Sequence, residues 1–203
     1  MTRQKNRHRR DDHYYRLAKR EGYRSRSAYK LLQIAERFDL IRPGDVVLDL
    51  GCSPGGWVQV SSQLVGDQGY VLGVDKRPVE ELREKNVKII SADVKKPETI
   101  ELITKELPRK TDVILSDLSP DVTGNWQIDH LKQIELATFA LSVAEKLLKH
   151  NGRFMTKAFQ GEKLDQFIEE LRERFSSVRI FRPPATRKRS AEVYLFANRF
   201  LGG

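Results

Sequence analysis

VVLDLGCSPGGW, residues 46 to 57, is the stretch that decides how the rest of the chain is read. An apolar run from Val46 to Leu50 stops at Gly51, and Pro54, Gly55 and Gly56 follow before Trp57. That order predicts a buried strand, a tight glycine turn and the first turn of a helix. Glycine lets backbone approach a ligand closely, and the unpaired N–H groups of a helix N-terminus are aimed at it. The expected ligand is nucleotide-like. The glycines at 51, 55 and 56 do not reproduce the G-x-G-x-x-G spacing of a dinucleotide site, which disfavours a nicotinamide oxidoreductase.

Outward from this turn, the chain alternates. A helix is expected from Ser25 or Ser27, with Leu31, Ile34, Ala35 and Phe38 at helical spacing and Ser27 as a possible cap. Pro43-Gly44 ends it. Beyond the central strand come apolar runs at 70–74, 87–90, 112–115, 153–156, 178–181 and 193–197. Helical patterns fall at 97–106, around Ile134 to Leu148, and around Leu164 to Phe175. Seven strands alternating with helices predict an α/β fold, Rossmann-like, with a mostly parallel sheet covered on both faces.

The length of 203 residues fits one domain. No apolar run approaches a membrane span, no h-region follows the basic N-terminus, and no His/Cys cluster has zinc spacing. Cys52 is the single cysteine, which suits a reducing cytoplasm. The net charge is +9. Residues 1 to 30 hold eleven Lys/Arg against three acids, so nearly all of that excess sits at the N-terminus. Such a block points to a polyanion, RNA or DNA, bound with salt-sensitive affinity. We expect residues 1–24 to be a flexible basic extension and residues 25–203 a single domain, monomeric by default.

In an open α/β sheet, ligands bind outside the carboxyl ends of the strands. Four apolar runs end at or near a charged residue: Asp75, Asp93, Asp117 and Lys157. Asp75 lies 24 positions after Gly51, near the separation at which an acid meets ribose hydroxyls of a bound nucleoside. That separation would serve a nicotinamide cofactor equally. Arg182, Arg187, Lys188 and Arg189 form a second basic cluster, expected to hold phosphates. Tyr23, Tyr29 and Trp126 are candidates to stack on a base.

The form D-L-G-x-x-P-G-G-W resembles the cofactor loop of S-adenosylmethionine-dependent methyltransferases of the FtsJ/RrmJ family. The resemblance extends to R-S-R-S-A-Y-K-L around Lys30, S-D-L-S-P around Asp117, F-M-T-K around Lys157 and R-K-R-S-A-E-V-Y around Glu192. It implies a Lys30-Asp117-Lys157-Glu192 tetrad for 2′-O-methylation of RNA ribose, most closely of a uridine in large-subunit ribosomal RNA. Lys157 would be the proton acceptor and Lys30 would orient the ribose or the developing alkoxide. Asp117 would position Lys157, and Glu192 would hold the lysine pair. The cofactor would be S-adenosylmethionine, held at Gly51, Gly55, Gly56, Trp57, Asp75, Asp93 and Asp117, with Asp93 at the adenine amino group. The partner would be large-subunit rRNA or the large ribosomal subunit, with no membrane involved. Members acting on the tRNA anticodon loop share the tetrad, and an RNA-binding assembly factor without turnover is the alternative of a different class. Cys52 and Ser53 stand where many relatives have alanines, all small residues.

Overall fold

The protein is described here by a computed structural model, which covers residues 13–82 and 84–202. Strand β1 (Val46–Leu50) is buried along its whole length. It pairs in parallel with β2 (Tyr70–Asp75) on one side and β4 (Thr111–Ser116) on the other. β3 (Val87–Ser91) lies outside β2 and β5 (Leu148–Phe159) outside β4, both parallel. β7 (Glu192–Phe200) then inserts antiparallel between β5 and β6 (Phe175–Phe181), giving the order β3-β2-β1-β4-β5-β7-β6. The reversal of β7 has a functional consequence. It brings the start of that strand to the carboxyl end of β5, so that Phe159 faces Glu192 and Lys157 faces Tyr194 in register.

Successive strand residues point to opposite sheet faces, and the core divides accordingly. Val47, Val71, Val113 and Met155 pack with Leu31 and Ile34 of α2 (Ala28–Phe38) and Val58 of α3 (Gly56–Val65). Leu48, Leu72, Ile114 and Phe154 pack on the other face. There they meet Ile103 of α4 (Pro97–Glu106), Ala140 of α5 (Trp126–Leu147) and Phe167 of α6 (Leu164–Arg174). Truncating a fully buried Leu31 or Phe167 to alanine would cost about 2–5 kcal/mol.

Three local expectations are altered. Within the segment expected to be a flexible extension, α1 (His13–Glu21) forms and buries Ala18 against Tyr29 and Ala185, and the Tyr14 and Tyr29 rings lie 5.5 Å apart. The part of the basic extension at 1–12 lies outside the described residues. Ser27 does not cap α2; it has helical backbone angles and its hydroxyl meets that of Ser25 at 2.6 Å. Leu148 and Phe175, assigned by periodicity to helices, open strands β5 and β6 with extended backbone. Their apolar side chains are buried in either geometry, so periodicity alone does not separate the two.

Candidate active site

The turn after β1 places backbone where the sequence predicts it. Gly51 takes φ +83° and its amide donates to the Val74 carbonyl at 2.8 Å. A Cβ on Gly51 would come within 2.9 Å of Leu118, in the loop after β4. Gly55, at φ +107°, is the N-cap of α3. Gly56 and Trp57 form that helix's first turn, whose amides lie outside the helical ladder. The Trp57 indole is buried, with Nε1 donating to the Ser27 carbonyl at 2.8 Å. Trp57 therefore offers a ligand its backbone, not its ring. Arg24 lies against the loop: its guanidinium donates to the carbonyls of Glu80 and Glu81 at 2.5 and 2.7 Å.

The acids expected to contact the cofactor are dispersed along the same edge. The Asp75 carboxylate accepts from the Ser53 amide at 2.9 Å and the Arg77 amide at 2.8 Å, which fixes the loop to the end of β2. Asp93 is half-buried beyond β3 and accepts from the Lys95 amide at 3.1 Å. Asp49 was given no role by the sequence reading. Its side chain is fully buried, and neither carboxyl oxygen has a hydrogen-bond partner among the described residues. Burial first, then the charges of Asp117 and Asp75, push its carboxyl well above the usual carboxylate range. Burial and the same acidic surroundings, Asp49 and Asp75, also push the Cys52 thiol up, which makes it a packing residue.

Lys157, Asp117, Lys30 and Glu192 come together from β5, the end of β4, α2 and β7. Lys157 Nζ lies 3.0 Å from Asp117 Oδ1 and donates to the Asp117 carbonyl at 2.9 Å. Lys30 Nζ lies 2.7 Å from Glu192 Oε2. These two ion pairs are joined by a residue that the sequence reading left without a role. Tyr194 OH donates to Asp117 Oδ1 at 3.0 Å and accepts from Lys30 Nζ at 3.2 Å. Burial, then the charges of Asp117 and Glu192, push this phenol well above its ordinary value, so it keeps its proton. The available signal was the strand itself: two positions after Glu192, Tyr194 must share its face. The result is one continuous chain, Lys157-Asp117-Tyr194-Lys30-Glu192.

Beside Lys30 and Glu192 opens a cleft of about 410 Å³, walled by Arg26, Arg187, Arg189 and Ser190. Burial, then the charge of Arg187, lowers Arg26 from its ordinary value, against the opposing pull of Glu192. Arg182 differs from the role expected of it. Its Nη2 donates to the carbonyls of Arg187, Lys188 and Ser190 at 3.0–3.1 and 2.7 Å, so it ties the 182–190 loop together.

The cofactor's charge can be tested against these residues. The charges of Asp117 and Asp75 both act on Asp49 at the glycine loop. Such an edge suits a ligand bearing a sulfonium and an ammonium, as S-adenosylmethionine does, and repels the pyrophosphate of a dinucleotide. The close-packed Gly51 and the first turn of α3 leave backbone, not side chains, at the loop.

A model of the FtsJ-like methyltransferase family matches residues 23–200. The chain is 49% identical to "Ribosomal RNA large subunit methyltransferase E" of Archaeoglobus fulgidus over 94% of this chain and 97% of that one. It is 48% identical to the protein of that name from Methanococcus aeolicus, over 96% of this chain and 72% of the relative. Among solved structures, a putative ribosomal RNA methyltransferase from Plasmodium falciparum superposes with a TM-score of 0.79 at 28% identity, covering 89% of this chain and all (100%) of that one. Aeropyrum pernix fibrillarin, solved with S-adenosyl-L-methionine, shares the fold at a TM-score of 0.59 and 20% identity, over 86% of this chain and 75% of that one.

Proposed function

The chain belongs to the FtsJ-like methyltransferase family, and from that premise we propose that it methylates a ribose 2′-oxygen of RNA, a uridine of large-subunit ribosomal RNA. The names carried by relatives at 45–49% identity support the substrate class. The observation that carries the chemistry is the position of Lys157. Its side chain is only 4% exposed, and its Nζ is held by both the carboxylate and the carbonyl of Asp117.

The cofactor is S-adenosylmethionine, which when bound supplies a methyl group on a sulfonium that is already an excellent leaving group. What remains for the protein is alignment and a more nucleophilic oxygen. Asp117 fixes Lys157 Nζ through two N–H donations; once the ammonium has released a proton to solvent, the lone pair of the neutral amine takes the proton of the 2′-hydroxyl as that oxygen attacks. Lys30, held by Glu192 and by Tyr194, presents its charge to the oxygen's developing negative charge. Glu192 holds Lys30; its hold on Lys157 is indirect, through Tyr194 and Asp117. The cleft walled by Arg26, Arg187 and Arg189 accepts a phosphodiester next to the target ribose, and the 2′-hydroxyl requirement selects RNA over DNA.

The test is transfer of labelled methyl groups to large ribosomal subunits, deproteinised rRNA and bulk tRNA, in parallel. We expect label in rRNA, recovered as an alkali-resistant dinucleotide. Lys157→Ala should lower turnover by at least about a hundredfold, the usual worth of a general base, with cofactor affinity kept. Near-normal turnover in that variant would remove Lys157 from its role, and label confined to tRNA would overturn the substrate.

A further inference from the structure

Trp126, the first residue of α5, leaves half its surface (50%) in water. An exposed indole is ordinarily a mobile one, but this one is built in. Its ring lies nearly parallel to Phe159, at 6.0 Å and 22°, and to His130, at 6.3 Å and 21°. His130 Nε2 accepts from the Lys163 amide at 3.1 Å, and Gly161 lies so close to the imidazole that a Cβ there would be 2.6 Å from it. On the chain side, Asn125 caps α5 through the amides of Gln127 and Ile128. The Asp129 carboxylate holds Thr123 and Gly124 through their amides at 2.7 and 3.1 Å. The loop and the ring stack are therefore fixed before any ligand arrives.

Its place is as telling as its rigidity. Phe159 closes β5 two residues beyond Lys157, and in register it faces Glu192. The indole thus stands at the carboxyl edge of the sheet, linked through Phe159 to the strand that carries Lys157. We propose that Trp126 is a stacking platform for the base of a nucleotide neighbouring the target ribose, so that the RNA must be locally unpaired to be methylated. The inference rests on the reading of the protein as an RNA ribose methyltransferase. A strand whose phosphate sits in the arginine cleft beside Lys30 and Glu192 passes Lys157 and reaches Phe159 and Trp126. Stacking on one aromatic face tolerates any base, which suits a neighbour whose identity need not be read.

The protein has two tryptophans and Trp57 is buried, so quenching of intrinsic fluorescence by a short single-stranded oligoribonucleotide reports on Trp126. We expect quenching in the wild type and none in Trp126→Phe. In methyl transfer, Trp126→Ala should raise the RNA KM about tenfold to a hundredfold, with kcat and cofactor affinity close to wild type, and Trp126→Phe should recover most of the loss. A wild-type KM in Trp126→Ala, or quenching that a blunt duplex matches, overturns the inference while the methyltransferase reading stands. If the wild type quenches with RNA but labels none, it is the methyltransferase reading that fails: Trp126 then stacks on RNA with no target ribose beside it, and the inference as stated is overturned with that reading. Exposed Val122, Ile128 and Leu131 lie nearby. If Leu131→Asp impairs only reaction on assembled subunits, and Trp126→Ala does the same while both bind free oligonucleotide normally, the face docks a protein and the inference is overturned.

Discussion

Asp49 separates stability from function at a single side chain. An acid whose carboxyl is pushed up by folding binds more protons in the native than in the unfolded state. Stability is then lost as pH rises above the unfolded value of about 3.9 and continues to fall until the native group also ionises. Asp49→Asn removes that term. The ligand-free variant should match the wild type near pH 4 and melt progressively higher than it toward neutrality, followed as the difference in Tm between pH 4 and 8. The same change should weaken S-adenosylmethionine binding, because a bound sulfonium and ammonium would favour ionisation of Asp49 and an amide cannot ionise. A pH-independent Tm difference would exclude Asp49 as the titrating group. Asp75, Asp93, Asp117 and Lys157 were legible as charged residues at the ends of apolar runs, whereas Lys30 and Glu192 were legible only through the resemblance to a known family. Asp49 and Tyr194 were not, since an acid inside a strand and a tyrosine on a strand read as local composition until their neighbours are known. Tyr194 acquires meaning only from Asp117 and Lys30, 77 and 164 positions away in sequence.

At the scale of elements, opposite strand ends use acids differently. At the amino ends, Arg153 Nη2 donates to both carboxylate oxygens of Asp45 at 2.8–2.9 Å in a buried pair whose disruption would cost about 3–5 kcal/mol. Burial opposes the charge of Asp112, yet Lys149, the Val46 amide and Arg109 outweigh it and hold the carboxyl below its usual range. These acids are satisfied; at the carboxyl ends Asp49 is not. The 182–190 loop shows how an arginine can be misassigned by charge alone. In sequence, Arg182 belongs to a basic run. In the fold, one nitrogen ties three carbonyls, each charge-assisted bond worth about 1.5–3 kcal/mol at most. Arg182→Ala should therefore loosen that loop selectively, with faster amide exchange over 182–190, several-fold weaker RNA binding and unchanged cofactor affinity. Arg187→Ala should weaken RNA binding, again with unchanged cofactor affinity. Strand identity was legible wherever apolar runs were bounded by glycine, proline or charge. β5 was seen at 153–156 and extends to Leu148–Phe159 because Lys149, His150 and Asn151 are exposed and carry no apolar signal.

For the molecule as a whole, charge and topology act on the same edge. The antiparallel return of β7 brings Glu192 and the preceding basic loop to the ends of the parallel strands, while α2 and the turn before it carry Lys30 and Arg26 to the same place from the N-terminal side. Under the proposed function, a chain with a net charge of +9 sets Asp49, Asp75 and Asp117 toward a small cationic ligand and Arg26, Arg187 and Arg189 toward a polyanion. The two binding events should respond differently to salt. Each phosphate neutralised on a single strand contributes about −0.7 to the slope of log K against log salt concentration, whereas S-adenosylmethionine bears about one net charge and meets buried groups that salt screens weakly. RNA affinity measured from 50 to 300 mM salt should fall steeply, and the double variant Arg187→Ala, Arg189→Ala should flatten the slope by roughly 1 to 1.5. Removing residues 2–12, five basic residues against two acids, should flatten it further, with cofactor affinity little changed across the series. If the double variant loses affinity with its slope unchanged, those arginines shape the cleft instead of neutralising phosphate, and the path of the RNA must run elsewhere on the surface.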